Sequence, residues 1–191
     1  MAKKTKEEWK VYKNVFDNAT LLNLHKLSSQ GHFDELKSPV ALGKEANIFT
    51  AVKGSEKLIA KIYRVENCNF KKMYTYIFPD PRFAGMKMRR RLVIFSWVKR
   101  EYRNLLKARE VIRVPTPIAV NDNVLLMEFI GREEAAPMLK DSVIKKPKEF
   151  FEKTIANVKK LYKAGLIHAD LSEFNILNFD DEPIFIDFSQ A

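Results

Sequence analysis

The run Ile167-His168-Ala169-Asp170-Leu171-Ser172-Glu173-Phe174-Asn175-Ile176-Leu177, followed by Ile184-Phe185-Ile186-Asp187-Phe188-Ser189, constrains this chain more than any other feature. Asp170, Asn175 and Asp187 stand beside short apolar runs. Asp187 falls at the end of a short apolar strand, where a carboxylate can reach a metal without being buried unpaired. Phosphoryl transfer from a nucleotide asks for this set: a carboxylate to orient or deprotonate the acceptor, and oxygen ligands to hold Mg²⁺ on the phosphates. Each acid alone reads as an ordinary turn residue. In this order and with these flanks they point to a phosphoryl-transfer centre.

Asp170 and Asn175 are five residues apart, the separation of base and metal ligand in the kinase H-R-D-x-x-x-x-N loop. Such a centre also demands a strand lysine that reaches the phosphates and a helix glutamate that holds the lysine. Ile59-Ala60-Lys61-Ile62 supplies the first, as a variant of the V-A-I-K pattern, and Glu101 supplies the second. Strand-edge lysines and helix glutamates are common, so the weight lies in their joint occurrence and order.

The rest of the chain fits around these residues. Residues 6–30 are helical in pattern, with Trp9, Tyr12 and Phe16 on one face and Leu21, Leu24 and Leu27 on another. Asp17, Asn18 and Thr20 are cap types between the two runs, and Gly31 is a stop. Strand patterns follow from Leu36, over Ala46–Val52 and, after a Gly54-Ser55 turn, over Leu58–Tyr63. Pro79, Pro81 and Gly85 predict a long mobile loop over 66–91. Leu92–Lys107 reads as a helix. Ile118–Val120 and Val124–Ile130 read as a hairpin about Asn121-Asp122-Asn123. Pro147–Ala164 reads as an amphipathic helix with Phe150, Phe151, Ile155, Val158 and Leu161 inward. The fold expected is bilobal α+β.

On Gly43-Lys44-Glu45-Ala46-Asn47, Ala60-Lys61-Ile62-Tyr63, Lys99-Arg100-Glu101-Tyr102-Arg103-Asn104-Leu105, Met127-Glu128-Phe129-Ile130-Gly131, His168–Leu177 and Ile186–Gln190, the chain resembles the RIO family of atypical serine/threonine protein kinases, in its type-one, archaeal-like form. The resemblance covers residues 43–190. It implies a protein-kinase-like fold whose N-lobe, residues 35–130, carries an antiparallel sheet and one main helix. A helical segment over 1–34 precedes that lobe, and the hinge and C-lobe follow over 131–191. It further implies that Lys61 binds the phosphates and Glu101 pairs with it, and that Met127 backs the adenine pocket with backbone groups of Glu128 and Ile130 on the base. Asp170 becomes the catalytic acid/base, and Asn175 and Asp187 become ligands of Mg²⁺, with Mn²⁺ an alternative. Asp187 can itself accept the phosphoryl group in related proteins, so an aspartyl-phosphate and ATPase-like cycling are open. Ordinary kinases carry G-x-G-x-x-G; here only Gly43 remains, and Lys44 beside it brings positive charge toward the phosphates. Ala169 replaces the arginine before the catalytic aspartate. Family domains continue with further helices beyond the point matching Ala191, so the resemblance implies an incomplete lower lobe with exposed apolar surface.

Family members mature the small ribosomal subunit, which bears on the charge distribution. The formal net charge is +10, and Arg82 to Arg113 holds eleven basic residues against two acids. Such a stretch suits a polyanion, here rRNA or a pre-ribosomal particle, although a solvated helix face explains it equally well. A single cysteine, Cys68, fits a reducing, cytoplasmic setting, and the charged start MAKKTKEEWK with no long apolar run argues against secretion or a membrane. Three other readings stay open. A small-molecule kinase of the aminoglycoside type shares the loop spacing. A catalytically silent RNA-binding assembly factor would use the basic stretch and leave Lys61, Glu101, Asp170, Asn175 and Asp187 without a purpose. A metal hydrolase would have to draw on His25, His32 and His168, which have no i, i+4 pair among them. Oligomeric state is not legible.

Overall fold

A computed structural model describes residues 16–66, 69–85 and 87–191. The expected face of Trp9 and Tyr12, and Cys68, lie outside them. Five antiparallel strands form one sheet in the order β1-β2-β3-β5-β4: β1 Glu35–Leu42, β2 Ala46–Lys53, β3 Glu56–Tyr63, β4 Pro117–Asn121 and β5 Val124–Glu128. Side chains alternate across a strand, so β3 sends Leu58, Ala60 and Ile62 to one face and Ile59, Lys61 and Tyr63 to the other. The first face packs against α1 (Asn18–Ser29), which the Asp17 carboxylate caps by accepting the Thr20 N–H at 2.7 Å. Phe16, Leu24, Leu27, Phe33 and Phe49 fill that core.

The second face packs against α3 (Arg90–Ala108), whose Val93, Ile94, Trp97, Val98 and Leu105 are buried. That core runs on without a break into the second lobe, through Phe150 and Leu161 of α4 (Pro147–Lys163) and Ile176, Phe185 and Phe188 around the hairpin of β6 (Ile176–Phe179) and β7 (Glu182–Phe185). One helix therefore abuts the sheet and holds the segment that follows the hairpin, and the crevice between the lobes is the place for a site.

Two expectations are corrected. Residues 66–91 are not a plain loop: they hold α2 (Phe70–Ile77) and a 3₁₀ turn at Pro81–Phe83. Phe70, Met73, Tyr74 and Ile77 recur at helical spacing, Asn69 caps the first turn through the Lys72 N–H, and the prolines fall beyond the last turn. Burial of Met73 and Ile77 against α3 supplies about 2 kcal/mol for each side chain, enough to favour a helix this short. In α4, Phe150 and Leu161 point inward as expected, but Phe151 is 64% and Val158 39% exposed, and Tyr162 and Ile167 extend that apolar face. The outer strand β1 is irregular: its register against β2 shifts on both sides of Pro39.

Candidate active site

The alternation in β3 and the position of α3 bring Lys61 and Glu101 together in the interior. Lys61 Nζ lies 2.7 Å from Glu101 Oε1 and 3.0 Å from Asp187 Oδ1, so one ammonium joins the sheet, the helix and the loop after β7. Glu101 is 1% exposed, and its second oxygen accepts a hydrogen bond from the Tyr63 hydroxyl. Charges inside a protein are costly unless paired, and the arrangement follows that rule. Burial works against the charge on Lys61, but the Asp187 and Glu101 carboxylates outweigh it and raise its pKa. Burial raises the pKa of Glu101, with Lys61 opposing. For Asp187, burial is overcome by Lys61 and by the Ser189 hydroxyl, which donates to Oδ1 at 2.7 Å; its pKa is lowered.

The two catalytic-type loops both bend through left-handed backbone at non-glycine residues, Ala169 with φ of 64° and Asp187 with φ of 62°. Such residues cost about 1 kcal/mol or more each and persist where the surroundings fix them. His168 is one such support. Its Nε2–H donates to the Ile186 carbonyl at 2.9 Å, its Nδ1 accepts the Asp170 N–H at 3.4 Å, and its ring lies 4.7 Å from that of Phe188. Burial lowers the His168 pKa, which keeps the ring neutral and preserves that donor–acceptor pair. Asp170 is held from two sides: Asn175 Nδ2 donates to its backbone oxygen at 2.7 Å, and Gln190 Nε2 donates to Oδ2 at 3.0 Å. With its nitrogen engaged in this way, the Asn175 amide keeps its oxygen as a donor for a cation.

Above these polar groups lies an open cleft of about 250 Å³, walled by Val40, Ile48, Ile59, Met127, Ile130, Met138, Leu177 and Ile186, with Lys61, Glu101, Asn175 and Asp187 at its inner end. An apolar slot ending in a few convergent polar groups is the usual form of a small-ligand site. Glu128 also borders it, but its carboxylate is paired with Arg113 and accepts the Thr116 N–H, while its amide donates to the Thr116 carbonyl at 2.8 Å. The Ile130 carbonyl accepts the Ala136 N–H at 2.9 Å. Gly43 and exposed Lys44 border an adjoining hollow shared with Lys61, Tyr63 and Asp187. A side chain at Gly43 would place its Cβ 2.7 Å from the Ala46 carbonyl, so the tight turn there requires glycine.

All ten residues singled out in the sequence thus border one cleft, its adjoining hollow or, for Asp170, the loop beneath them. Sequence reasoning missed Val40, Ile48, Met138 and Leu177 as walls, and Tyr63, Ser189 and Gln190 as hydrogen-bonding partners. Strand parity could have found Ile48, which pairs with Lys61 across the ladder; nothing local marked Met138. The basic stretch also divides. Arg100 is buried, Arg82 is paired with Asp80, and Arg113 with Glu128 at the end of β5. Among the described residues no helix is long and apolar enough to cross a membrane.

Comparison with known proteins agrees with this architecture. The RIO domain matches residues 47–191. The chain is 46% identical over 187 residues to the RIO-type serine/threonine-protein kinase Rio1 of Methanocaldococcus jannaschii, covering 97% of this chain and 64% of that protein. It is 39% identical over 194 residues to the Rio1 of Haloferax volcanii, covering 100% and 67%. It therefore spans about two thirds of the length of these relatives. Among solved structures, the Rio2 kinase-ADP/Mg²⁺-phosphoaspartate complex from Chaetomium thermophilum superposes with a TM-score of 0.68 at 24% identity, over 88% of this chain and 52% of that one. That likeness speaks to the protein-kinase-like α+β fold. With the domain covering most of its length and Rio1 proteins as relatives across nearly all of it, the chain belongs to the RIO family.

Proposed function

We propose that this chain carries the ATP- and Mg²⁺-dependent phosphoryl-transfer centre of a RIO-type atypical serine/threonine kinase. The observation that carries the reading is Lys61 held between Glu101 and Asp187 at the inner end of an apolar cleft. Adenine would fit the apolar slot before Met127, with the Glu128 carbonyl and Ile130 amide on its edge. Lys61 would neutralise the phosphates, oriented by Glu101. Asn175 and Asp187 are hard oxygen donors on one side of the cleft and fit a hard cation; when bound, Mg²⁺ neutralises charge on the phosphate oxygens. Asp170 would accept the proton of an incoming hydroxyl, with Gln190 and Asn175 fixing its direction. Lys44, from the adjoining hollow, would add charge near the phosphates. Gly43 allows that turn its close approach. This reading divides the chain near residue 130, with the sheet lobe before and the hinge and helical lobe after.

The Rio2 complex carries a phosphoaspartate, and this reading gives the corresponding role here to Asp187, whose carboxylate stands at the inner end of the cleft. A single-turnover assay with γ-labelled ATP tests both points. Protein-bound label or free phosphate is expected from the parent chain and at least about a hundredfold less from Asp187→Ala. Hydroxylamine-sensitive label favours the aspartyl-phosphate route over serine or threonine transfer. Equal yields from the parent and Asp187→Ala would sink the reading.

We further propose a cytoplasmic setting and an rRNA or pre-ribosomal partner, on a narrower surface than the sequence implied. Lys99, Arg103 and Lys107 are exposed at four-residue intervals along α3, a spacing of about 6 Å along the helix axis. If this stripe meets phosphates, replacing all three with alanine lowers the slope of log affinity against log salt by about two to three. Filter binding to small-subunit rRNA over a salt series measures it; an unchanged slope excludes the stripe.

A further inference from the structure

Helix α3 does more than present Glu101. One residue before it, Arg100 is buried and aims its guanidinium at backbone carbonyls: Nη1 donates to Tyr76 O at 2.6 Å, Nη2 to Gln190 O at 3.4 Å and to Ala191 O at 2.9 Å, and Nε to Ala191 O at 3.1 Å. One turn on, buried Asn104 donates through Nδ2 to Phe188 O at 2.9 Å and Ala191 O at 2.8 Å, while its Oδ1 accepts from Arg82 Nη1 at 3.2 Å. The carbonyls of Phe188, Gln190 and Ala191 thus accept five bonds from α3, with the Ala191 N–H also donating to Phe188 O at 3.3 Å, and the segment they hold begins directly after Asp187.

We infer that Arg100 and Asn104 are positioning residues for phosphoryl transfer, acting through the backbone of residues 188–191. The inference rests on the function proposed above and names how that site is set. The gripped segment carries two groups at once. Asp187 sits at its start in left-handed backbone, bonded to Ser189, and Gln190 within it donates to Asp170 Oδ2. The same helix holds Lys61 through Glu101. The metal-facing carboxylate, the proton-accepting carboxylate and the phosphate-facing ammonium thus take their relative positions from one rigid element. Asn104 and Arg100 touch none of the groups that would react. They fix the carbonyls whose displacement would turn Asp187 and Gln190 away.

Asn104→Asp, nearly the same shape, replaces a donor with an acceptor facing two carbonyl oxygens. Arg100→Lys keeps the charge but cannot fork to several carbonyls. Each variant is compared with the parent chain in three measurements. Partners behind a metal ligand are commonly worth ten- to a hundredfold in metal affinity or activity, so the Mg²⁺ concentration for half-maximal phosphate release should rise about tenfold. Affinity for a fluorescent ADP analogue without metal should stay within about twofold, since the apolar slot is untouched. Hydrogen exchange of the amides of residues 187–190 should quicken about tenfold while α3 amides keep the parent rate. An unchanged Mg²⁺ requirement with parent-like exchange at 187–190 overturns the proposal. So does a parallel fall in metal-free affinity with faster exchange throughout α3, which is general loosening. Should Asn104→Asp not fold, Arg100→Lys is read by the same criteria. A parent chain that releases no phosphate counts against the phosphoryl-transfer reading alone, and the exchange rates at 187–190 still decide the clamp.

Discussion

Lys61 is the residue on which most interactions converge, since removing either carboxylate leaves a buried ammonium short of a partner. Glu101→Ala is expected to lower unfolding stability by about 3 kcal/mol, seen as a reduced urea midpoint; a loss under about 1 kcal/mol would mean that Asp187 alone suffices. His168 makes a second, pH-dependent prediction. Its pKa is lowered by burial below the ordinary 6.5, so the unfolded chain binds the extra proton first as pH falls. The stability that neutral His168 contributes is complete above about pH 6.5 and is lost as pH falls below it, toward the folded-state value. Protonation also turns Nδ1 into a donor against the Asp170 N–H. Thermal midpoints should therefore drop between pH 7.5 and 5.5, and the drop should shrink in His168→Gln; an equal drop in both assigns it to other groups. The charged residues of this centre were legible because their chemistry fixes their order and spacing. Tyr63, Ser189 and Gln190 were not, because a hydroxyl or amide becomes a partner only when the fold brings a carboxylate to it.

The strands and long helices were legible from period and caps: Asp17, Pro147 and Gly165 fall where α1 begins and α4 begins and ends. Helix α2 was not, because a helix of eight residues with prolines close behind it owes its stability to the burial of Met73 and Ile77 against α3, which only the fold supplies. The faces of α4 were half legible: an apolar stripe gives a direction, but the chain alone does not say how much of that stripe a partner element covers. Asn123 shows a different gap. It reads as a turn residue, yet it is 1% exposed and ties three elements: Nδ2 donates to Thr20 Oγ1 at 2.8 Å and to Tyr63 O at 2.9 Å, and Oδ1 accepts from Asn23 at 3.0 Å. Asn123→Ala leaves Tyr63 O and the α1 partners unpaired and is expected to cost about 2–3 kcal/mol, with amide exchange accelerating first in α1. Uniform acceleration across the sheet would show instead that α1 and the sheet unfold as one unit.

At the scale of the whole molecule, basic and apolar surface follow different helices and meet where Lys107 Nζ donates to the Gly165 carbonyl at 3.0 Å. The exposed basic stripe follows α3, whereas Phe151, Val158, Tyr162 and Ile167 form an apolar face on and beyond α4. What the chain can do with that surface is limited by the outer strand. Strand β1 presents Pro39, which has no N–H to offer, amid two shifts of register; at the opposite side, α1 and α3 pack against β4. An edge interrupted in this way is a poor template for another chain's backbone. Copies crowded together are therefore expected to meet along β1 through side chains more than through backbone pairing, by contacts without fixed repeat, which favours amorphous clusters over fibres.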